Sequence, residues 1–529
     1  MKSNFYTLLL LCLLPVTMMA QDDRYFDEIF DDVTVTENVK YGTNISIVQI
    51  ILGLSSDPGP EDLYMDVYEP AGDDMTDRPV VIFAHRGDFL PPVINQTPYG
   101  SKRDSSVVEM CRDMAKRGFV AISMGYRLGW NPFGSDQEIK AGVLQASYRL
   151  SQDMHNVVRY LRMDAAEQGN TFKIDANKIA LGGFDSAGWG AASVAHLKSV
   201  SQVQNLVKFV DLGTVPPTPF IIEEVHGNPQ GTNEAIINMP NHVSYSSEIA
   251  AYINIEGGLG DLSWIEEGDA PMIGFQRRSG FSGEGIRDVS LTAGGSIIIP
   301  TGAFPDTLIY RSQELGNQDL FIDAGLDDPL TQDAVSSTGG LEGLLLYDGH
   351  KVNSTILCDP TPGADSSSYG NNTYPWNWYD EAAFGQIWDG IDNQTIPSQI
   401  YICGFNANQG NPNDAAISRM FIDTMTAYIV PRLVVALDLA TSTATVDNEL
   451  KPKLAFKVFP NPASDWLNFS ASAPIRNIQI VDLSGRLLYQ TTDLELSQQQ
   501  LGVQGLPKGL YIAKVQFDEG IVTEKIIIE

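Results

Sequence analysis

The sequence is poor in the residues that usually announce function. Its 529 residues include only four cysteines and six histidines, and 34 lysines and arginines stand against 66 aspartates and glutamates. The net charge of −32 excludes nucleic acid as a partner, because a polyanion would be repelled by such a surface. It describes a hydrated exterior without naming what binds there. No Cys/His spacing resembles a zinc site, and no cofactor or metal is expected. Asp323 to Asp328 is acid-rich, but it matches no defined calcium loop. Beyond residue 20 no run is long and apolar enough to span a membrane. Cys111 falls on an apolar helical pattern and reads as a buried thiol, whereas Cys358 and Cys403 flank an aromatic stretch and are candidates for one disulfide in an oxidising compartment.

What the chain does contain is apolar content of 43%, enough for a sizeable core, and a length that calls for two or three units. Residues 1–20 have the pattern of a Sec signal peptide: Lys2, an apolar run from Phe5 to Val16, then Ala20. Apolar runs at 63–68, Pro79–Phe83, Phe119–Ser123, Lys178–Leu181, Ala251–Glu256, Pro271–Phe275 and Leu344–Tyr347 alternate with helical patterns at Asp104–Lys116 and 141–165. This predicts an α/β domain with a mostly parallel sheet. Segments 200–250 and 277–340 read as long insertions able to cap a site, and a helix over 415–438 should break at Pro431. A linker at 440–455 then precedes a small all-β unit, 456–529, of Ig-like strand spacing.

The most informative segment is 178–188, Lys-Ile-Ala-Leu-Gly-Gly-Phe-Asp-Ser-Ala-Gly. An apolar strand ends in glycines, turns at Ser186 and enters small, helix-compatible residues, the pattern of a nucleophile elbow. Phe184 stands two before the serine, where Gly-x-Ser-x-Gly has glycine. In open parallel sheets, sites lie at the carboxyl ends of the strands, where His85 and Ser186 both fall. Trp376 and Trp378, with Tyr374 and Tyr379, form an aromatic cluster suited to a sugar ring, an aromatic acyl group or a loop staple.

Two resemblances follow from specific residues. Val458-Phe459-Pro460-Asn461-Pro462-Ala463, Asp482-Leu483-Ser484-Gly485-Arg486, Leu506-Pro507-Lys508-Gly509-Leu510-Tyr511 and the terminal Glu524-Lys525-Ile526-Ile527 resemble the type A C-terminal sorting domain of the Bacteroidetes type IX secretion system. That resemblance implies the type IX machinery as a partner and export to the medium or the cell surface. His85-Arg86-Gly87-Asp88-Phe89, Lys116-Arg117-Gly118-Phe119-Val120, Tyr126-Arg127-Leu128-Gly129, Gln152-Asp153 and Ile174-Asp175-Ala176-Asn177-Lys178-Ile179 make residues 60–200 similar to secreted α/β-hydrolase-fold carboxylesterases. The implied domain is 21–439. The implied reaction is serine ester hydrolysis on a small-molecule or polysaccharide-linked ester, with Ser186 as nucleophile and His350, in Tyr347-Asp348-Gly349-His350, as base.

The family's acid position is here Gln276-Arg277-Arg278-Ser279-Gly280, without a carboxylate. Glu256 is the first substitute, and Asp261, Glu284 and Asp288 are alternatives. Backbone N–H groups of Gly87, Asp88 and Ala187 are the candidate oxyanion donors, although Arg86 and Asp88 replace two glycines of the family's His-Gly-Gly-Gly run. Arg86 reads as a surface residue paired with Asp88. The alternative function is a non-catalytic binding or surface protein on a degenerate hydrolase fold.

Overall fold

The computed structural model describes residues 24–281, 289–293, 296–348, 355–356, 367–368, 374–391, 394–409, 413–439, 451, 453–481, 487–491, 494, 496–517 and 520–528. The chain forms two compact units, one of Glu28–Ala440 and one containing Thr441–Glu529.

The larger unit is built on an eight-stranded sheet: β1 (Val33–Ser46), β2 (Gly59–Pro70), β3 (Arg78–Ala84), β4 (Val120–Met124), β5 (Ile174–Phe184), β6 (Ala251–Ile255), β7 (Met272–Arg277) and β8 (Leu344–Tyr347). The spatial order is β1-β2-β4-β3-β5-β6-β7-β8. β1, β2 and β4 pair antiparallel, and every pairing from β4 through β3 to β8 is parallel. This is the α/β-hydrolase order. The parallel strands are apolar along their length because both faces are covered: every residue of β3, β4 and β6 is buried.

Helices α1 (Ser105–Lys116), α2 (Asp136–Glu167) and α3 (Ser186–His196) supply the cover. α2 begins five residues before the apolar pattern suggests, because Ser135 and Glu138 form a capping box that satisfies the first orphan N–H groups. The exit of β4 is locked to α2 by a fully buried ion pair. Arg127 Nη2 lies 2.9 Å from Asp153 Oδ1, and the Arg127 backbone N–H donates to the same carboxylate.

Two expectations need correction. Segment 277–340 is not simply a capping insertion, since α4 (Pro305–Glu314) and α5 (Pro329–Ser337) start on prolines, whose missing N–H costs nothing there, and α4 buries Leu308 and Ile309 in the core. The helix at 415–438 does not break: α8 (Ala415–Ala436) runs through Pro431, following α6 (Glu381–Asp389) and α7 (Ser398–Gln409). An interior proline costs about 3 kcal/mol. Ile422, Met425, Tyr428, Ile429 and Leu433 are all buried, and at roughly 1.5–3 kcal/mol per large apolar side chain their burial outweighs it.

The smaller unit has two antiparallel sheets around one core of Leu467, Phe469, Ile478, Ile480, Val515, Val522 and their neighbours. Its strands are β9 (Lys457–Phe459), β10 (Trp466–Ile475), β11 (Asn477–Val481), β12 (Leu487–Thr491), β13 (Leu496–Gly502), β14 (Gly509–Phe517) and β15 (Gly520–Ile528). They pair as β9-β10-β13 and β12-β11-β14-β15. No helix among the described residues is long and apolar enough to cross a membrane.

The close approach of α3 to α2 depends on Gly190, where a Cβ would lie 2.6 Å from Leu150 Cδ2 and 3.1 Å from Met154 Sδ. Gly190→Val is expected to cost about 1–3 kcal/mol by overpacking. Leu150→Ala alone costs about 2–5 kcal/mol, and the double variant should fall short of the sum by at least about 0.5 kcal/mol in urea unfolding. Strict additivity would mean that the two side chains do not share that space.

Candidate functional site

The elbow is present, but its apex is one residue earlier than the sequence reading places it. β5 runs through Phe184, α3 begins at Ser186, and the residue between them, Asp185, has φ 52° and ψ −113°. Non-glycine residues rarely occupy this region, and holding one there costs on the order of 1–3 kcal/mol. Asp185 is pinned on both sides: its N–H donates to Ile255 O at 2.7 Å and its carbonyl accepts from Gly188 N at 2.9 Å.

Gly183, two before the apex, has no room for a side chain, since a Cβ would stand 2.3 Å from the Ala187 carbonyl. Ala187, two after, is the other small residue. The motif is thus Gly183-Phe184-Asp185-Ser186-Ala187, and Phe184 is not a misfit at the small position but the last strand residue, buried with its ring 6.1 Å from Phe83. The signal was the even spacing of Gly183 and Ala187 about Asp185, masked by the familiar Ser-Ala-Gly that follows.

Ser186 is the first residue of α3 and is 7% exposed. Its Oγ accepts the Asp88 N–H at 3.1 Å. That N–H belongs to the loop after β3, in which Gly87, Asp88 and Phe89 have φ of 120°, 55° and 59°. Only glycine fits at 87, where a Cβ would lie 2.5 Å from Gly100 Cα. Asn95 Nδ2 donates to the carbonyls of Gly87, Leu90 and Tyr99, Trp130 Nε1 donates to Asp88 O at 2.6 Å, and Gly129 N donates to Phe89 O at 2.7 Å. Of the expected oxyanion donors, the Asp88 N–H is therefore engaged by Ser186. Ala187 lies in the first turn of α3, where N–H groups lack intrahelical acceptors.

Arg86 does not sit on the surface with Asp88. It is enclosed and pairs with the apex, Nη2 lying 3.0 Å from Asp185 Oδ2, with side chains 11% and 18% exposed. Its guanidinium carbon lies 3.9 Å from the centroid of the Tyr374 ring and 4.8 Å from that of Tyr99. Burial opposes the charge of Arg86, but Asp185, with Tyr374, Tyr99 and Asp88, holds its pKa above the ordinary value. Tyr374 also donates to Asp185 Oδ1 at 3.4 Å.

On the other side of Tyr374, Arg277 lies 5.8 Å from its ring centroid and donates from Nε to Glu256 Oε2 at 3.2 Å. Glu256 Oε1 accepts from the Arg277 N–H and, at 2.7 Å, from Tyr347 OH. A ladder of carboxylate, guanidinium, phenol, guanidinium and carboxylate thus joins Asp185 to Glu256. Burial raises the Glu256 pKa, partly countered by Arg277.

Asp261 is committed elsewhere, capping Leu262–Trp264 and pairing with Lys208 at 2.6 Å. His350, Glu284 and Asp288 lie outside the described residues, as does Cys358, while Cys403 is disulfide-bonded and Cys111 is a buried free thiol. Of the aromatic cluster, Trp376 and Tyr379 are buried packing residues and only Tyr374 joins the ladder.

Asp88, Asp185 and Ser186 open onto a cavity of about 490 Å³ with walls that include Phe89, Leu90, Trp130, Trp189 and Trp264. Segment 200–250 contributes Phe209, Phe220 and Ile221 to the lining, as a capping insertion should. Among the described residues no histidine lines the cavity, and no group of three or more His, Cys, Asp or Glu is arranged to hold a metal ion. Asp88 is exposed within the cavity. Burial, then the neighbouring Asp185, raises its pKa to about 6 against the pull of Arg86.

If the ion pair holds the elbow, Arg86→Ala leaves a carboxylate without its partner and should cost up to about 3–5 kcal/mol, less whatever the partial exposure of the pair screens. Arg86→Ala with Asp185→Asn should recover much of that loss in urea unfolding. A double variant no more stable than the single one would show that the pair is not what holds the turn.

Comparison with known proteins agrees with the tail and says little about the cavity. No curated protein matches the chain. Among solved structures it is similar to Thermogutta terrifontis esterase 2 phosphorylated by paraoxon, at 18% identity over 46% of this chain and 70% of that one, TM-score 0.24. The propionate-bound form of that esterase gives 19% identity over 44% and 71%, TM-score 0.22. A bifunctional GH43-CE protein of Bacteroides eggerthii gives 13% identity over 55% and 31%, TM-score 0.30. At these scores the likenesses carry no argument about activity, and the fold stands on its strand order. Residues 457–529, in contrast, match the secretion system C-terminal sorting domain. The chain carries a type IX sorting domain, consistent with a Bacteroidetes origin, and is exported to the cell surface or the medium.

Proposed function

We propose that this is an exported ligand-binding protein on an α/β-hydrolase fold, in which the elbow cavity receives a small molecule. Its plan is a Sec leader at 1–20, the binding domain at 21–439, a linker at 440–455 and the sorting domain at 456–529. The observation that carries the reading is the apex itself: the strained position holds Asp185, ion-paired with Arg86 at 3.0 Å. Acyl transfer by a serine needs a hydroxyl at that position, a base within about 2.6–3.2 Å, and free N–H donors for the oxyanion. Here the apex carboxylate has its lone pairs on Arg86 and Tyr374, and the Asp88 N–H is spent on Ser186 Oγ. A carboxylate attacking an ester carbonyl would have to form an anhydride, a less stable acyl group than the ester it came from.

A second reading keeps ester hydrolysis, with Ser186 as nucleophile, His350 as base, Glu256 as acid, and N–H groups of Gly87, Asp88 and Ala187 as donors. Two observations favour it. Ser186 lines the cavity, and Glu256 accepts from Tyr347, three residues before His350 in the chain.

Labelling of the mature protein with a fluorophosphonate probe, beside Ser186→Ala, separates the two. The binding reading expects no labelling of folded protein and hydrolysis of short-chain aryl esters no faster than that of the Ser186→Ala variant. Labelling that disappears in Ser186→Ala would overturn it in favour of the hydrolase.

A further inference from the structure

We infer that the elbow cavity selects a ligand with an apolar body of aromatic size and a cationic amine head, the head seated against Asp88. This rests on the ligand-binding reading and adds the chemical class of the ligand.

Where the cavity is polar, negative charge exceeds positive. Two carboxylates, Asp88 and Asp185, face one guanidinium, Arg86. Arg86 is engaged elsewhere: Nη2 is bonded to Asp185, the guanidinium lies against the Tyr99 and Tyr374 rings, and its Nε, though unpaired, is buried in a residue that does not line the cavity. Asp88 is left over. Among the described residues its carboxyl has no hydrogen bond and no salt bridge, although it is accessible within the cavity.

Its backbone is fixed on both sides, the N–H on Ser186 Oγ and the carbonyl under Trp130 Nε1, in a left-handed conformation flanked by two further residues of positive φ. The side chain is therefore presented by a built loop and not by a freely moving one. The lining is also aromatic, with Trp130, Trp189 and Trp264 among its walls, and aromatic faces attract cations as well as apolar groups. The volume of about 490 Å³ falls within the range of small-molecule sites, about 300–1,000 Å³. An anionic head would meet an uncompensated carboxylate, and a neutral ester would leave it unpaired.

The charged groups that face Asp88 are Arg86 on its own loop and Asp185 on the elbow. With the Asp88 pKa raised to about 6, the carboxylate that pairs with an amine is present above that pH and is lost as pH falls through it. Amine affinity should fall on acidification accordingly, since the amine itself stays protonated.

The test uses three probes with one body: 1-naphthylmethylamine, 1-naphthylmethanol and 1-naphthoic acid, titrated calorimetrically into the full mature protein at pH 7.5 and pH 5. Expected at pH 7.5 is at least tenfold tighter binding of the amine than of the alcohol and no measurable binding of the acid. Asp88→Asn should reduce amine affinity at least tenfold and leave the alcohol unchanged. Asparagine tolerates the left-handed backbone at 88, so the variant should fold, and an unchanged melting temperature verifies it. If alcohol and amine bind equally and Asp88→Asn alters neither, the head-group inference is overturned while the cavity reading stands. If none of the three binds, the ligand-binding reading fails and this inference falls with it.

Discussion

The Asp185–Arg86 ion pair is the contact on which the site depends, because it holds together two segments that are each strained. The elbow puts Asp185 in a region that non-glycine residues avoid, and the loop after β3 strings together three residues of positive φ. Neither conformation is favoured locally. Each persists because the sheet fixes where β3 and β5 end, one on each side of a shared parallel pairing from Val80–Ile179 to Ala84–Gly183. The ion pair then spans the gap between the two strand ends. Two charges mostly withdrawn from water repay their desolvation only with good geometry and further partners. Here Arg86 has two tyrosine faces and Asp185 has Tyr374 as well as its position before the N-terminus of α3, where the helix dipole favours an anion.

That arrangement explains why the architecture was legible from sequence and the chemistry only in part. Buried parallel strands are continuous apolar runs, so β3, β4, β6, β7 and β8 could be read to within two residues, whereas β5 extends four residues before and three beyond its apolar run, and the export tail could be read from its motifs. In the tail, β12 and β13 are both edge strands, and β13 is rich in glutamine (Gln498, Gln499 and Gln500) because an edge is kept polar to discourage further pairing. The unbroken α8 was missed because propensity argues locally while burial is decided by the fold. At the site, Arg86 and Asp185 are ninety-nine positions apart, and no periodicity connects them. The elbow's register was readable in principle from Gly183 and Ala187, but a serine followed by Ala-Gly draws the eye one residue too far.

One residue of register is a large change in chemistry. Successive helical residues point about 100° apart, so a side chain at the apex and one on the first helical residue face different surroundings. At the apex stands a carboxylate with a guanidinium against it. The hydroxyl of Ser186 instead turns to the Asp88 N–H. In an acyl-transfer elbow the helix N-terminus and the loop N–H groups wait for negative charge that develops only in the transition state, and catalysis comes from that difference. On the ligand-binding reading the same features are occupied in the resting protein: the helix end by the side chain of Asp185, the loop N–H by a serine oxygen. Interactions already satisfied in the ground state cannot lower a barrier. What they can do is fix the geometry of a pocket, and the group they leave unsatisfied, the Asp88 carboxyl, is the one that remains to choose a ligand.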